Sequence, residues 1–418
     1  MSPQPRFFYG YVLAGYAFFV SFLASSFFLH SRGIFFPFWM DEFGVERTEI
    51  SLVVSFTLFT GSCLAPVLGF LIDRLPLKLI ICCGASWMGL GYLLLRQVET
   101  YNGFFAILVC FQGVAWGTVG PLMQTKLMVN WFSRNRGMAL GIAIMGISVA
   151  GIVMPTVATF MAENIGWRDT YGVYSGLIFF VLVPVTLWLV KQDPASVGAW
   201  PDGDPEPADP RPAPTAAAGI GVVATYREFL TSRAFWSVVI TFGLMNGVYS
   251  AMITHLPAYL TRELDYDLYD ASIALGVAGG FAIAGKIVFG WLMDHFDAKR
   301  TVLFAVASYF TSTIVFIFVD NYVLMLVAAG LFGLGFGGMV PVRSVLLSRL
   351  FGVARFSRVN GLLAFFLAPA TFWVLITGYI ADTFGTYAVA FQVWAVSFLL
   401  AGIISALVNL PNARDAVD

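Results

Sequence analysis

The sequence predicts an all-α membrane protein whose twelve spanning helices form two six-helix halves. Three observations carry that prediction. The 418 residues are 59% hydrophobic and only 11% charged, against roughly 25% charged in a soluble domain, so the outer face is too apolar for water. Twelve apolar runs approach or exceed the ~20 residues needed to cross a hydrocarbon core. One signature also occurs twice, as Gly69-Phe-Leu-Ile-Asp73-Arg74 and Gly290-Trp-Leu-Met-Asp294, with 221 residues between the glycines and between the aspartates. Basic residues follow both copies, Lys78 after the first and Lys299-Arg300 after the second. The chain is a duplication.

The runs lie at about 8–38, 50–72, 78–95, 103–130, 137–161, 171–190, 235–260, 271–293, 301–319, 322–349, 359–381 and 387–409. They lack the polar–apolar alternation of a barrel wall, and in lipid a segment of this length satisfies its own backbone only as a helix. Between the sixth and seventh runs, Asp193 to Thr225 carries seven prolines among alanine, glycine and acids. Such a stretch cannot bury enough apolar surface to order itself. The expected division is an N-terminal half at 1–192, a linker at 193–233 and a C-terminal half at 234–418. Tyr226 to Arg233 suits a short surface helix before the seventh run.

Basic residues orient the chain. Fifteen fall on one side: Arg6, Arg74, Lys78, Arg134, Arg136, Lys191, Arg211, Arg227, Arg233, Lys299, Arg300, Arg349, Arg355, Arg358 and Arg414. The other side holds only Arg47, Arg96, Arg168 and Arg262, among acids such as Asp41, Glu42, Glu46 and Glu263. The positive-inside bias places both termini, and the linker, in the cytoplasm.

Composition also excludes. A net charge of -1 offers no footprint for nucleic acid. Cys63, Cys82, Cys83 and Cys110 sit in apolar runs without ligand spacing and read as small buried hydrophobes. No nucleotide-binding loop, metal cluster or nucleophile–base set is present, so neither an enzyme nor a cofactor is expected. No cleavable signal peptide is evident, and the protein is expected to be monomeric.

The charged residues inside the spans are the candidates for function. Lys286 lies within the eighth run, and its repeat partner is the neutral Ala65. A cation near the bilayer centre costs at least about 2.5–3.5 kcal/mol on insertion scales, which marks a binding role. Snorkelling to the interface is the bland alternative, at the limit of lysine's reach. Arg32 in the first run is a second substrate cation, or a partner of outer acids such as Asp41 and Glu42. Lys126 and Arg343 read as interfacial anchors, with a guiding role at the inner mouth as the alternative. His255, before Pro257, and His30 are candidates for proton coupling; a buried imidazole more often has a structural role. Asn246 and Tyr249 line a cavity or bond to a neighbouring helix. The phenylalanines of the first run (Phe27, Phe28, Phe35, Phe36, Phe38) read as lipid contact and packing. No Asp or Glu occupies the centre of any span. Positive walls in a low-dielectric cavity favour an anion.

The repeated loop, Gly69-Phe-Leu-Ile-Asp73-Arg74-Leu-Pro-Leu-Lys78 with its weaker copy at Gly290–Arg300, resembles the signature loop of the major facilitator superfamily. That resemblance implies the major facilitator fold and assigns Asp73, Arg74, Lys78 and Asp294 to a charge relay at the cytoplasmic gate. Pro76-Leu77 stands where the family usually has Gly-Arg. Finer features are similar to the monocarboxylate porter and oxalate/formate antiporter group. They are Tyr9-Gly10-Tyr11, Gly33-Ile-Phe-Phe-Pro37, Arg136-Gly-Met-Ala-Leu-Gly141, Gly166-Trp167-Arg168 and Gly378-Tyr-Ile-Ala-Asp382. In that group an arginine four residues before the signature glycine pairs with the substrate carboxylate, and Lys286 occupies its place. Lysine keeps the charge and loses the two-pronged geometry. Animal members carry an aspartate one turn earlier, where this chain has Ala282.

The expectation is a secondary transporter of small organic anions, monocarboxylates first, in a bacterial inner membrane. It would work by alternating access between the halves, coupled to protons or to anion exchange. The rivals are an exporter of neutral or amphipathic compounds and a non-transporting sensor.

Overall fold

The computed structural model describes residues 8–64, 67–68, 71, 74–132, 135–191, 193–203, 227–318, 321–351 and 355–407. Among them, all regular structure is helical. Ten helices are long and apolar enough to cross a membrane by length and composition. One of the ten, Gly137–Leu189, runs for 53 residues and is two spans. Gly166, at φ +76° and ψ 160°, leaves helical geometry in its middle. Only glycine adopts that conformation without strain, which explains the turn in the Gly166-Trp167-Arg168 motif. A further helix, Arg47–Cys63, corresponds to the second expected span.

We number the spans α1 (Gly10–Phe43), α2 (Arg47–Cys63), α3 (Leu77–Leu95), α4 (Tyr101–Trp131), α5 (136–165), α6 (167–189), α7 (Arg233–Arg262), α8 (Leu268–His295), α9 (Ala298–Phe318), α10 (Tyr322–Phe351), α11 (Val359–Phe384) and α12 (Ala388–Leu407). Large apolar side chains such as Phe180, Ile287 and Phe318 project outward, the face a lipid-embedded helix presents. Of the linker, Pro194–Val197 and Pro201–Gly203 form short 3-10 turns. Residues 204–226 lie outside the described residues, and 227–231 are helical within the stretch expected to form a surface helix.

Packing divides the chain into two compact units, 1–35 with 60–213 and 36–59 with 214–418. Thus the last part of α1 and the first part of α2 pack with the C-terminal helices.

In the first unit, α1 carries a π-helical turn over Ser26–His30. Ser31 anchors it: its Oγ donates to the Ser26 carbonyl (2.7 Å) and meets the Tyr174 hydroxyl (3.0 Å). Phe27 stacks on Tyr174, Phe28 on Trp116, and Phe35 meets Tyr171 edge-on. These phenylalanines, and Phe36, are buried in protein, so the expectation of lipid contact is corrected for them. Aromatic pairs of this geometry add about 0.5–1.5 kcal/mol each beyond area burial.

In the second unit, α8 and α10 are in backbone contact. A Cβ on Gly333 would strike the Ala278 carbonyl, one on Gly337 the Ala282 carbonyl, and one on Gly285 the Leu334 carbonyl. Small residues permit this approach where apolar burial supplies no driving force between helices. Tyr309 and Phe398 stack, and Phe332 packs against both. The cysteine expectation is also corrected: Cys82 is buried, but Cys63, Cys83 and Cys110 are exposed, on outward faces of their helices.

Candidate functional site

The α8–α10 contact sets the depth of the charged residues. Gly333 lies beside Ala278 and Gly337 beside Ala282, the same 55-residue offset, so the two helices run parallel. Lys286, half-buried, is one turn past Ala282 and about 40° around the helix from it. It makes at least one interaction within the chain and is not a free ammonium. On α10, Phe336 stacks face to face with Tyr249 of α7, centroids 3.4 Å apart and planes within 2°. Tyr249 is buried. Asn246 precedes it by nearly one turn, is half-buried, and makes no hydrogen bond among the described residues. Lys286 of α8, Asn246 and Tyr249 of α7 and Phe336 of α10 therefore belong to one unit, on three helices.

Arg32 and His30 belong to the other unit. Arg32 is 6% exposed, just past the π-helical turn. His30, also 6% exposed, packs against Gly151 of α5, where a Cβ would lie 3.0 Å from its Cε1. Of the loop residues, Arg74 is exposed and Lys78 half-buried, while Asp73 and the Asp294 side chain lie outside the described residues.

The structure also holds a cluster that the sequence reading missed. At the start of α2, Arg47 lies 3.4 Å from Asp382 of α11 and 3.7 Å from Glu263 beyond α7. The carboxylate of Asp382 accepts from both the Thr48 N–H and the Thr48 hydroxyl. Glu263 accepts from the Tyr387 N–H (3.0 Å) and the Thr386 hydroxyl (3.1 Å). A cation in a first helical turn opposes the helix dipole, and the two acids offset it. Asp382 also satisfies an N–H that α2 cannot pair internally. Glu49 reaches back to the Glu46 N–H at 3.1 Å, half of a capping box. Glu46, Glu49 and Asp382 bring carboxylate oxygens within 4.8 Å of one another, and these bonds make the group a helix cap.

One turn deeper lies His255, 1% exposed. Its Nδ1 is 2.9 Å from the Tyr387 hydroxyl, and its Nε2 is 2.9 Å from the Val374 carbonyl and 3.3 Å from Ser51 Oγ. A carbonyl only accepts, so Nε2 carries a proton, and Nδ1 takes the tyrosine proton in the neutral ring. Gly378 of α11 lies against Ser51 and the Arg47 carbonyl, with no room for a Cβ. The signal in the sequence was Arg47 itself, one of only four bases on the acidic side.

The family profile described as Major Facilitator Superfamily matches residues 14–367 and 283–416. The chain belongs to the Major Facilitator Superfamily. It is a transporter by family, not an enzyme. Among its relatives, Monocarboxylate transporter 13 of Rattus norvegicus is 23% identical over 92% of this chain and 85% of the relative. Monocarboxylate transporter 11 of Homo sapiens is 25% identical over 99% and 86%. Both support the monocarboxylate-porter resemblance. Among solved structures, the nucleoside transporter NupG superposes with a TM-score of 0.75 at 12% identity, covering 94% of this chain and 98% of that one. A bacterial homologue of the human lysosomal transporter Spinster, inward-facing and occupied, gives 0.71 at 14% identity, covering 96% of each. At these identities the structural likeness shows the major facilitator fold alone.

Proposed function

We propose that this major facilitator protein is a secondary active transporter of small organic anions, monocarboxylates foremost, working by alternating access. The observation that carries the proposal is Lys286, a cation set well inside α8 of a chain whose span centres hold no acid. Burying such a group is costly unless function retains it. Lys286 takes the substrate carboxylate, exchanging its resting contact for the cargo. Asn246 offers an amide beside it, the Tyr249–Phe336 pair provides an apolar wall, and Arg32 assists as a second cation. The monocarboxylate transporters among its relatives support the same substrate class.

The orientation follows from charge: the Lys78, Arg300 and Arg349 side faces the cytoplasm, with both termini, in a bacterial inner membrane. On that side Asp73, Arg74, Lys78 and Asp294 form the gate. Transport couples to a proton or to a counter-anion; of the two candidate proton carriers, His30 and His255, the bonds at both ring nitrogens favour a structural role for His255. The protein functions as a monomer.

The test is uptake by proteoliposomes across a panel of labelled carboxylates, with and without an imposed pH gradient. Uptake indifferent to every competing carboxylate would defeat the proposal and favour an exporter of neutral or amphipathic compounds.

A further inference from the structure

Arg343 of α10 is a charged residue that neither the fold nor the gate accounts for. Eight residues of helix follow it, ending at Phe351. The helix-end role falls to Arg349, whose Nη2 donates to the Met293 carbonyl at 2.8 Å, near the C-terminus of α8. Arg343 makes no ion pair or hydrogen bond among the described residues, and its Nε is buried without an acceptor. A guanidinium held in that way costs free energy unless something binds it.

Its position supplies the something. Gly285 and Gly337 meet at the centre of the α8–α10 contact, which sets Lys286 level with about residue 338. Arg343 is then about five residues, or about 7.5 Å, further along the helix axis, a gap that two long side chains can close around one small acid. Phe336 and Arg343 are seven residues apart and share one face of α10, the face on which Phe336 stacks against Tyr249. Starting from the Ala282 contact, the helical wheel turns Lys286 toward the same flank. Both side chains are long, both are half-buried, and no Asp or Glu occupies the centre of a span.

We propose that Arg343 is a second substrate-contacting residue, which binds an oxygen carried by the acid in addition to its carboxylate. This rests on the reading of Lys286 as the carboxylate site. The guanidinium fork donates two parallel hydrogen bonds, geometry that an oxo group or a second carboxylate oxygen can fill and a methylene cannot. The site therefore selects organic acids with an oxygen substituent over plain short-chain acids.

The test uses the full chain in proteoliposomes and labelled lactate uptake, with unlabelled pyruvate and propionate as competitors. Both competitors are three-carbon monoanions that differ in one keto oxygen, and competition is insensitive to passive entry of the unlabelled acid. In the unsubstituted protein the inhibition constant for pyruvate is expected to be at least ~10-fold below that for propionate, because a site built to bond an oxygen rejects the analogue lacking it. Arg343→Gln should bring the two within threefold, and Arg343→Lys should fall between. Loss of packing alone would weaken both competitors together. Equal inhibition constants in the unsubstituted protein, or an unchanged ratio in both variants, overturn the role of Arg343 and leave the anion-carrier reading standing. Absence of uptake for labelled lactate and for every other labelled carboxylate of the panel overturns both. Should Arg343→Gln fail to fold, the lysine variant alone decides, since its ratio must fall.

Discussion

Arg47→Gln tests whether the Arg47–Asp382–Glu263 cluster is a latch. Its ion pairs span 3.4 and 3.7 Å, with side chains only 10–18% exposed. At an effective dielectric of about 20, each pair carries about 5 kcal/mol of Coulomb energy. Desolvation of the three groups offsets much of it. A net loss of about 2–3 kcal/mol therefore follows from removing the cation, between the fractions of a kcal/mol of exposed pairs and the cost of breaking a fully buried one. Glutamine keeps the length of the side chain and removes the charge. If the cluster holds the first part of α2 against α7 and α11, the ratio of closed to open conformers falls about 30- to 150-fold.

Ser55→Cys in a cysteine-free background reports the change. Ser55 is fully buried, and its Oγ accepts from the Leu375 N–H at 3.1 Å, so a thiol there reacts with an impermeant maleimide only when α2 leaves α11. The labelling rate should rise by the same 30- to 150-fold factor. Asp382→Asn should raise it too, and the double variant should add little, because the two residues act as a pair. A labelling rate within threefold of the parent, in an Arg47→Gln protein with unchanged melting temperature, would sink the latch.

Other outcomes follow from the same geometry. Lys286→Gln should abolish uptake of the best acid substrate in proteoliposomes without lowering the melting temperature, while Lys286→Arg retains part of it; normal uptake by the glutamine variant removes Lys286 from the mechanism. Gly378→Leu places a side chain where Ser51 and the Arg47 carbonyl now lie; it should raise Ser55→Cys labelling as Arg47→Gln does. His255→Gln should lower the melting temperature by several degrees, because both ring nitrogens are bonded in a 1% exposed site. It should preserve the response of uptake to an imposed pH gradient. Loss of that response alone would make the imidazole the proton carrier.

Periodic features of the fold were legible in the sequence, and features set by contact were not. Apolar length and the 221-residue repeat reveal the spans because a bilayer imposes them locally, run by run. The break at Gly166 could be read as a motif, since its turn depends on one residue's backbone freedom. What escaped was decided by which helix faces which. Phe27, Phe28, Phe35 and Phe36 carry the same apolar signal whether they meet lipid or Tyr174, Trp116, Tyr171 and His255. Burial inside a bundle and burial in lipid are alike to composition. The three exposed cysteines err in the opposite direction for the same reason.

The charged residues show the same limit more sharply. In the sequence Arg343 and Lys126 looked alike, each a base late in a span. Only the packing of Gly333 and Gly337 against α8 brings Arg343 to the flank and neighbourhood of Lys286. Arg47, Glu263 and Asp382 are separated by more than 100 residues at each step, so nothing local announces that they meet. Each does carry a local cost: a cation opening a helix, and acids held at low exposure. Costs of that kind persist when a partner elsewhere in the fold offsets them. An uncompensated charge is thus a search instruction. For Arg47 the search ends inside the chain, on Asp382 and Glu263. For Arg343 it ends on no described residue, and that difference separates a strut from a binding group.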